Sequence, residues 1–240
     1  MEVINRPDYT EKVKKLFGKG FIIALTGQRR VGKSFIMRQV IKELSQDSAA
    51  HVIYIDKDNE EFSFVQSHEE LTKYVKSNLL SNKRNYLFVD EIQNIKEFEV
   101  SLRSFHTNDE CEMVITGSNA KMLSSELSTY LSGRCVEYHI QSLDYREFLT
   151  FHRLSDNNQS LHSYLKYGGL PQLHRIGLEE TELVDDYLKS VYHTIVLKDV
   201  IEREEIRNVP LLKNLIRFVG DNVGKVFSAS SIVKYLKSQQ

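Results

Sequence analysis

Three groups of residues in this chain have the types and spacing for phosphate chemistry. The first is Gly27-x-x-x-x-Gly32-Lys33-Ser34. Two glycines at this interval let a loop take backbone conformations that a Cβ forbids, so that its N–H groups can wrap an anion. A lysine after the second glycine can reach the β- and γ-phosphates of a nucleotide, and the hydroxyl after it can hold a magnesium ion. The loop residues Gln28, Arg29, Arg30 and Val31 and the early helical residue Phe35 complete this nucleotide-binding set. The second group is Asp90-Glu91, at the end of the apolar run Tyr86-Leu87-Phe88-Val89. Asp90 is placed to accept a hydrogen bond from Ser34 or from metal-bound water, and Glu91, one residue further, to polarise an attacking water. An ordinary strand ending in two surface acids is the competing reading, and the phosphate loop on the same chain weighs against it. The third group is Ser118 and Asn119, after the apolar run that ends at Thr116. Either could sense a γ-phosphate, and either could simply cap the helix expected near Lys121.

These residues need elements to hold them. Phe21-Ile22-Ile23-Ala24-Leu25 reads as a buried strand leading into the loop. Ile36, Met37, Val40, Ile41 and Leu44 follow it at helical spacing, and a helix starting near Lys33 aims the positive end of its dipole at the loop. His51–Asp56 is a second strand by its β-branched run, and Asp56–Glu61 is a solvated acidic loop. Leu71, Tyr74, Val75 and Leu79 mark a helix, as do Ile95, Phe98, Leu102 and Phe105. Strands apolar on both faces are what a central parallel sheet requires, and Asn85–Asp90 and Glu112–Thr116 fit that description. Cys135–Ile140 is a fifth strand, with Arg134 just before it. Arg134 reads either as an arginine finger, which implies a homo-oligomer, or as one half of a structural salt bridge. Residues 1–18 read as a short helix beginning at Pro7 and Asp8. After residue 142 helical patterns take over, over 145–151, 161–167, 183–201 and 211–219. Between them Gly168 can end one helix and Pro171 can start the next turn.

The 240 residues carry a net charge of −1, with 41% hydrophobic and 27% charged residues. That balance supports a packed core and a soluble surface and supplies no global field for nucleic acid. Cys111 and Cys135 lack metal-ligand spacing and read as reduced thiols of a cytoplasmic protein. No apolar run reaches the length of a membrane span.

In order and spacing, GQRRVGKS, YLFVDEIQN, ITGSN, LSGR and GGLP resemble a family of bacterial and archaeal AAA-type ATPases. Its members carry a C-terminal domain of unknown function and are related to the signal-transducing (STAND) NTPases. The segment LKDVIEREEIRN adds to the resemblance. It implies a five-stranded parallel sheet in the order 5-1-4-3-2, and it assigns Pro171 a place near the adenine. It also implies a helical lid and then a winged helix, cut here after its first helix, through which a DNA or protein partner would act. The expected organisation is an ATPase core over 1–142, a lid over 143–222 and the start of a winged helix over 223–240. The expected reaction is magnesium-dependent hydrolysis of ATP to ADP. A nucleotide-gated DNA-binding or scaffold protein with negligible turnover is the alternative, followed by a P-loop kinase of small molecules.

Overall fold

The computed structural model describes residues 4–118, 131, 133–195, 201 and 208–238. Five strands, β1 (Ile22–Thr26), β2 (Ala50–Asp56), β3 (Arg84–Asp90), β4 (Glu112–Thr116) and β5 (Cys135–His139), form one sheet. All its pairings are parallel. Its order is β2-β3-β4-β1-β5, the expected 5-1-4-3-2 seen from the other edge. Parallel neighbours need crossovers. α2 (Lys33–Leu44), α3 (His68–Asn78) and α4 (Phe98–Thr107) supply three of them, and α1 (Pro7–Leu16) precedes the sheet.

Strand side chains alternate between faces, and here both faces are covered. Ile22, Ala24, Leu87, Val89 and Ile115 share one core layer with Leu71 of α3 and Leu102 and Phe105 of α4. Ile23, Leu25, Phe88 and Val114 share the other with Val13 of α1 and Ile36, Met37 and Val40 of α2. This alternation decides where the site's carboxylate goes. Asp90 is two residues beyond Phe88, so it leaves the carboxyl end of β3 on the face that carries α2.

One helix starts later than its apolar spacing predicts. Ile92–Asn94 forms a 3₁₀ turn, and α4 begins only at Phe98, after Glu97 at φ 53°. Ile92 and Ile95 are buried all the same. Apolar residues three apart suit one helical turn or one 3₁₀ turn equally, so spacing alone could not separate them.

The chain divides into two compact units, Met1–Gly177 and Leu178–Gln240. The boundary expected after residue 142 therefore falls inside the first unit, which also contains α5 (Tyr145–His152), α6 (Asn158–Tyr167) and α7 (Leu173–Ile176). Backbone contacts tie these helices to the segment that follows β5. The Leu143 N–H donates to the Gly169 carbonyl at 2.7 Å, and the Tyr164 hydroxyl donates to the Leu143 carbonyl at 3.0 Å. A Cβ on Gly169 would lie 2.1 Å from the Leu143 oxygen. Gly169→Ala is expected to destabilise the first unit by about 1–3 kcal/mol through this overlap. A urea unfolding midpoint equal to the parent's would mean that the α6–α7 turn is not held against Leu143.

The second unit contains α8 (Thr181–Tyr192), α9 (Val209–Asp221) and α10 (Ala229–Ser238). Phe218 of α9 lies with its ring 5.5 Å from that of Phe227 and 5.1 Å from that of Tyr235 in α10. No helix among the described residues is long and apolar enough to cross a membrane.

Candidate nucleotide site

The loop between β1 and α2 has the conformation that its glycines predict. Gly27 lies at φ 125° and Gly32 at φ 102°, both in the left-handed half of the map, where a side chain is strained. Gly27 also passes so close to the chain after β5 that a Cβ would sit 2.2 Å from the Ile140 oxygen. Arg30, which is not a glycine, takes φ 69° at the crest of the loop. Lys33 is 4% exposed, and its ammonium donates to the carbonyls of Gly27 at 2.9 Å and Gln28 at 3.0 Å. Burial pushes its pKa down, and the nearby charges of Glu91 and Asp90 push it back up.

Ser34 and Asp90 stand 56 residues apart in sequence, yet the Ser34 hydroxyl donates to Asp90 Oδ1 at 3.0 Å. Thr116, at the end of β4, donates its hydroxyl to the same oxygen. Its Oγ1 also accepts the backbone N–H of Glu91 at 2.9 Å. Burial raises the Asp90 pKa, the hydroxyls of Thr116 and Ser34 lower it, and the carboxylates of Asp56 and Glu91 raise it further. The register sets Asp56 of β2 directly beside Asp90. The Tyr54 hydroxyl lies 3.3 Å from Asp56 Oδ2 and 3.5 Å from Asp90 Oδ2. Burial pushes that phenol up to about 12, so it stays protonated beside the two acids. Arg38 pairs with Asp56 at 3.0 Å and keeps the two carboxylates from facing each other uncompensated. Asp56 thus belongs to the network behind the site, although the sequence suggested a solvated loop.

Glu91 leaves the strand at φ 55°, ψ 51°. A left-handed residue that is not glycine costs about 1–2 kcal/mol, and such strain clusters at functional sites. Here the carboxylate reaches the residues that follow β4. Its Oε2 accepts from Ser118 Oγ at 2.8 Å and from Gln93 Nε2. Ser118, read from the sequence as a γ-phosphate sensor or a helix cap, is thus bonded to Glu91. Asn119 lies outside the described residues, as does most of the LKDVIEREEIRN segment.

Pro171 stands over the loop, with its Cγ 3.8 Å from the position of a Cβ on Gly32. Phe35 is 40% exposed, and the guanidiniums of Arg175 and Arg38 lie 5.3 Å and 6.0 Å from its ring centroid. Arg134 is at the other end of the sheet. Its carbonyl accepts the N–H of Ile22, the first residue of β1, at 2.8 Å. A five-residue strand of about 16 Å separates it from the loop. It is exposed and lines a surface hollow with Arg103, Ser104 and Asn108. Glu137, the acid on β5 that a structural salt bridge could use, accepts the Thr26 hydroxyl at 2.7 Å, and Glu126, a second such acid, is outside the described residues.

Sequence reasoning missed Thr116, Tyr54 and Arg38. Thr116 was legible only as the last apolar-run residue before Gly117. The roles of Tyr54 and Arg38 depend on a strand register that no local pattern gives. The donor set suits a hard cation bridged to phosphate, since a serine hydroxyl and a carboxylate supply the oxygen ligands that magnesium takes.

A loop of this shape after a central parallel strand, with its serine bonded to an acid on a nearby strand, defines a P-loop nucleotide-binding fold. The chain matches the AAA domain over residues 19–149, and a domain of unknown function, DUF8612, over residues 158–240. It belongs to the AAA-domain family. An uncharacterized protein of Haemophilus influenzae is 31% identical over 247 residues, covering 99% of this chain and 60% of that protein. An uncharacterized protein of Methanocaldococcus jannaschii is 28% identical over 229 residues, covering 90% of this chain and 50% of that protein. The chain thus spans only part of the length of these relatives. Among solved structures, AMPPCP-bound DnaA from Aquifex aeolicus has a TM-score of 0.52 at 14% identity, covering 99% of this chain and 89% of that one.

Proposed function

We propose that this chain binds ATP with magnesium and hydrolyses it to ADP, in the cytoplasm, as a conformational switch or motor. The observation that carries this is the Ser34–Asp90 contact at 3.0 Å, which joins the phosphate loop to the acidic strand end. Lys33 and the loop amides from Gly27 to Ser34 bind phosphate, with Gln28, Arg29, Arg30 and Val31 forming the loop and Phe35 following it. Ser34 and Asp90 are the residues that would hold magnesium, which when bound neutralises charge on the β- and γ-phosphates. Glu91 orients the attacking water and takes its proton. Ser118, now bonded to Glu91, links that acid to the γ-phosphate, and Asn119 is the neighbouring candidate. Pro171, already against Gly32, packs near the adenine. Arg134 acts on the nucleotide of a neighbouring copy. The thiols of Cys111 and Cys135, both pushed up to about 12 by burial, suit a reducing compartment.

Glu91 is what separates this reading from a P-loop kinase. A left-handed residue held by Thr116, Ser118 and Gln93 is an elaborate setting for an acid with no water to activate. In either reading residues 143–222 form a lid and 223–240 begin a winged helix; in the scaffold reading a DNA or protein partner is gated with negligible turnover. Phosphate release measured with and without DNA distinguishes the two.

Lys33→Ala is the direct test of nucleotide binding. It removes a charge-assisted contact of about 1.5–3 kcal/mol, so affinity for ATP should fall roughly 10- to 100-fold. An unchanged affinity in a titration with labelled nucleotide removes the phosphate-loop assignment.

A further inference from the structure

Arg6 belongs to none of the motifs read from the sequence, yet it is 4% exposed and bonded on every side. Its Nε and Nη2 donate to the two carboxylate oxygens of Glu147 in α5, each at 2.8 Å. Its Nη1 donates to the carbonyls of Val31 at 3.1 Å and Gln141 at 3.0 Å. Its Cζ lies 4.6 Å from the centroid of the Tyr9 ring. Its own backbone N–H donates to the side chain of Gln39 in α2 at 3.3 Å. One guanidinium therefore joins the N-terminal segment, the phosphate loop, the chain after β5 and the first helix beyond the sheet.

The bond to Val31 bears on nucleotide binding. No peptide bond among the described residues is cis. In a trans peptide the carbonyl and the following N–H point in opposite directions. Holding the Val31 oxygen toward Arg6 turns the Gly32 N–H the other way, away from Arg6. We propose that Arg6, braced by Glu147, is a positioning residue that presets the Val31–Gly32 peptide so that the Gly32 N–H faces the phosphate. This rests on the nucleotide-binding reading above and extends it to a residue that touches no ligand. The same brace makes α5 part of the loop's support. A shift of α5 is transmitted to a phosphate-binding amide through one forked ion pair and one hydrogen bond.

The test uses Arg6→Lys and the exchange Arg6→Glu/Glu147→Arg. A lysine keeps the charge but cannot serve two carbonyls and both carboxylate oxygens at once. Arg6→Lys should weaken ADP and ATP binding alike by about tenfold, since both ligands carry the β-phosphate. The exchanged pair restores the ion pair but moves the guanidinium onto α5, away from Val31. Its urea midpoint should recover relative to Arg6→Glu alone, and its ADP affinity should not. Folded Arg6→Lys protein with parental ADP affinity overturns the proposal, and so does recovery of affinity in the exchanged pair. If the parent binds ADP and Lys33→Ala binds it about 10- to 100-fold more weakly, those results leave the nucleotide reading intact and remove only Arg6. A parent that binds no nucleotide overturns both.

Discussion

Arg134→Ala protein is expected to bind ATP as the parent does and to hydrolyse it about 10³–10⁵-fold more slowly, the contribution of an arginine finger supplied in trans. The expectation follows from position. Arg134 precedes β5, which lies at the sheet edge beside β1, and its backbone is bonded to the amino end of β1. The phosphate loop leaves the opposite end of that strand. The side chain therefore cannot serve its own nucleotide, but it is exposed where a neighbouring molecule could present one. Mixing with Lys33→Ala protein should restore activity, because one subunit supplies an intact nucleotide site and the other an intact arginine. The measurement is ATPase rate against mixing ratio, with both proteins first shown to fold and to associate. A rate that stays at background across all ratios removes the trans role and leaves the structural salt-bridge reading of Arg134.

Glu91→Gln is expected to retain ATP and lose about 10²–10⁴-fold in hydrolysis, the usual effect of removing a general base. The substitution is close to isosteric. The new amide oxygen can still accept from Ser118 and Gln93, the present partners of Glu91 Oε2. The backbone N–H keeps its bond to Thr116. Folding and binding are thus protected while the proton acceptor is lost. Single-turnover hydrolysis of prebound ATP isolates the chemical step. If its rate stays within about twofold of the parent, water activation belongs to another group.

The sheet and the phosphate site were largely legible in the sequence because their signals are local. Glycine spacing, an apolar run and an acidic pair each lie within a few residues, and parallel strands buried on both faces leave uninterrupted apolar runs. Signals formed between distant segments were not legible. Tyr54 and Arg38 matter because β2 pairs with β3 in a register that brings Asp56 beside Asp90. Arg6 matters because α5 returns to the first residues of the chain. The domain boundary was read at the change from strands to helices. By contact the first compact unit runs to Gly177, and the close approach of Gly169 to Leu143 is one of the contacts that join the helices after β5 to the sheet. No composition change marks a backbone contact of that kind.

The separation of Arg134 from its own phosphate loop also constrains symmetry. Two copies related by a two-fold axis meet through identical patches, so each would have to offer its site and its arginine on one shared face. Here the two lie at opposite ends of β1, about 16 Å apart, beside the edge strand β5. A two-fold axis that sets the partner's strand antiparallel pairs both arginines with both sites at once, whereas a head-to-tail contact uses one of each per interface and closes into a ring or runs on as a filament. A monomer with full activity would be incompatible with the trans role of Arg134. The subunit count of the active species therefore tests the arginine's role independently of any substitution.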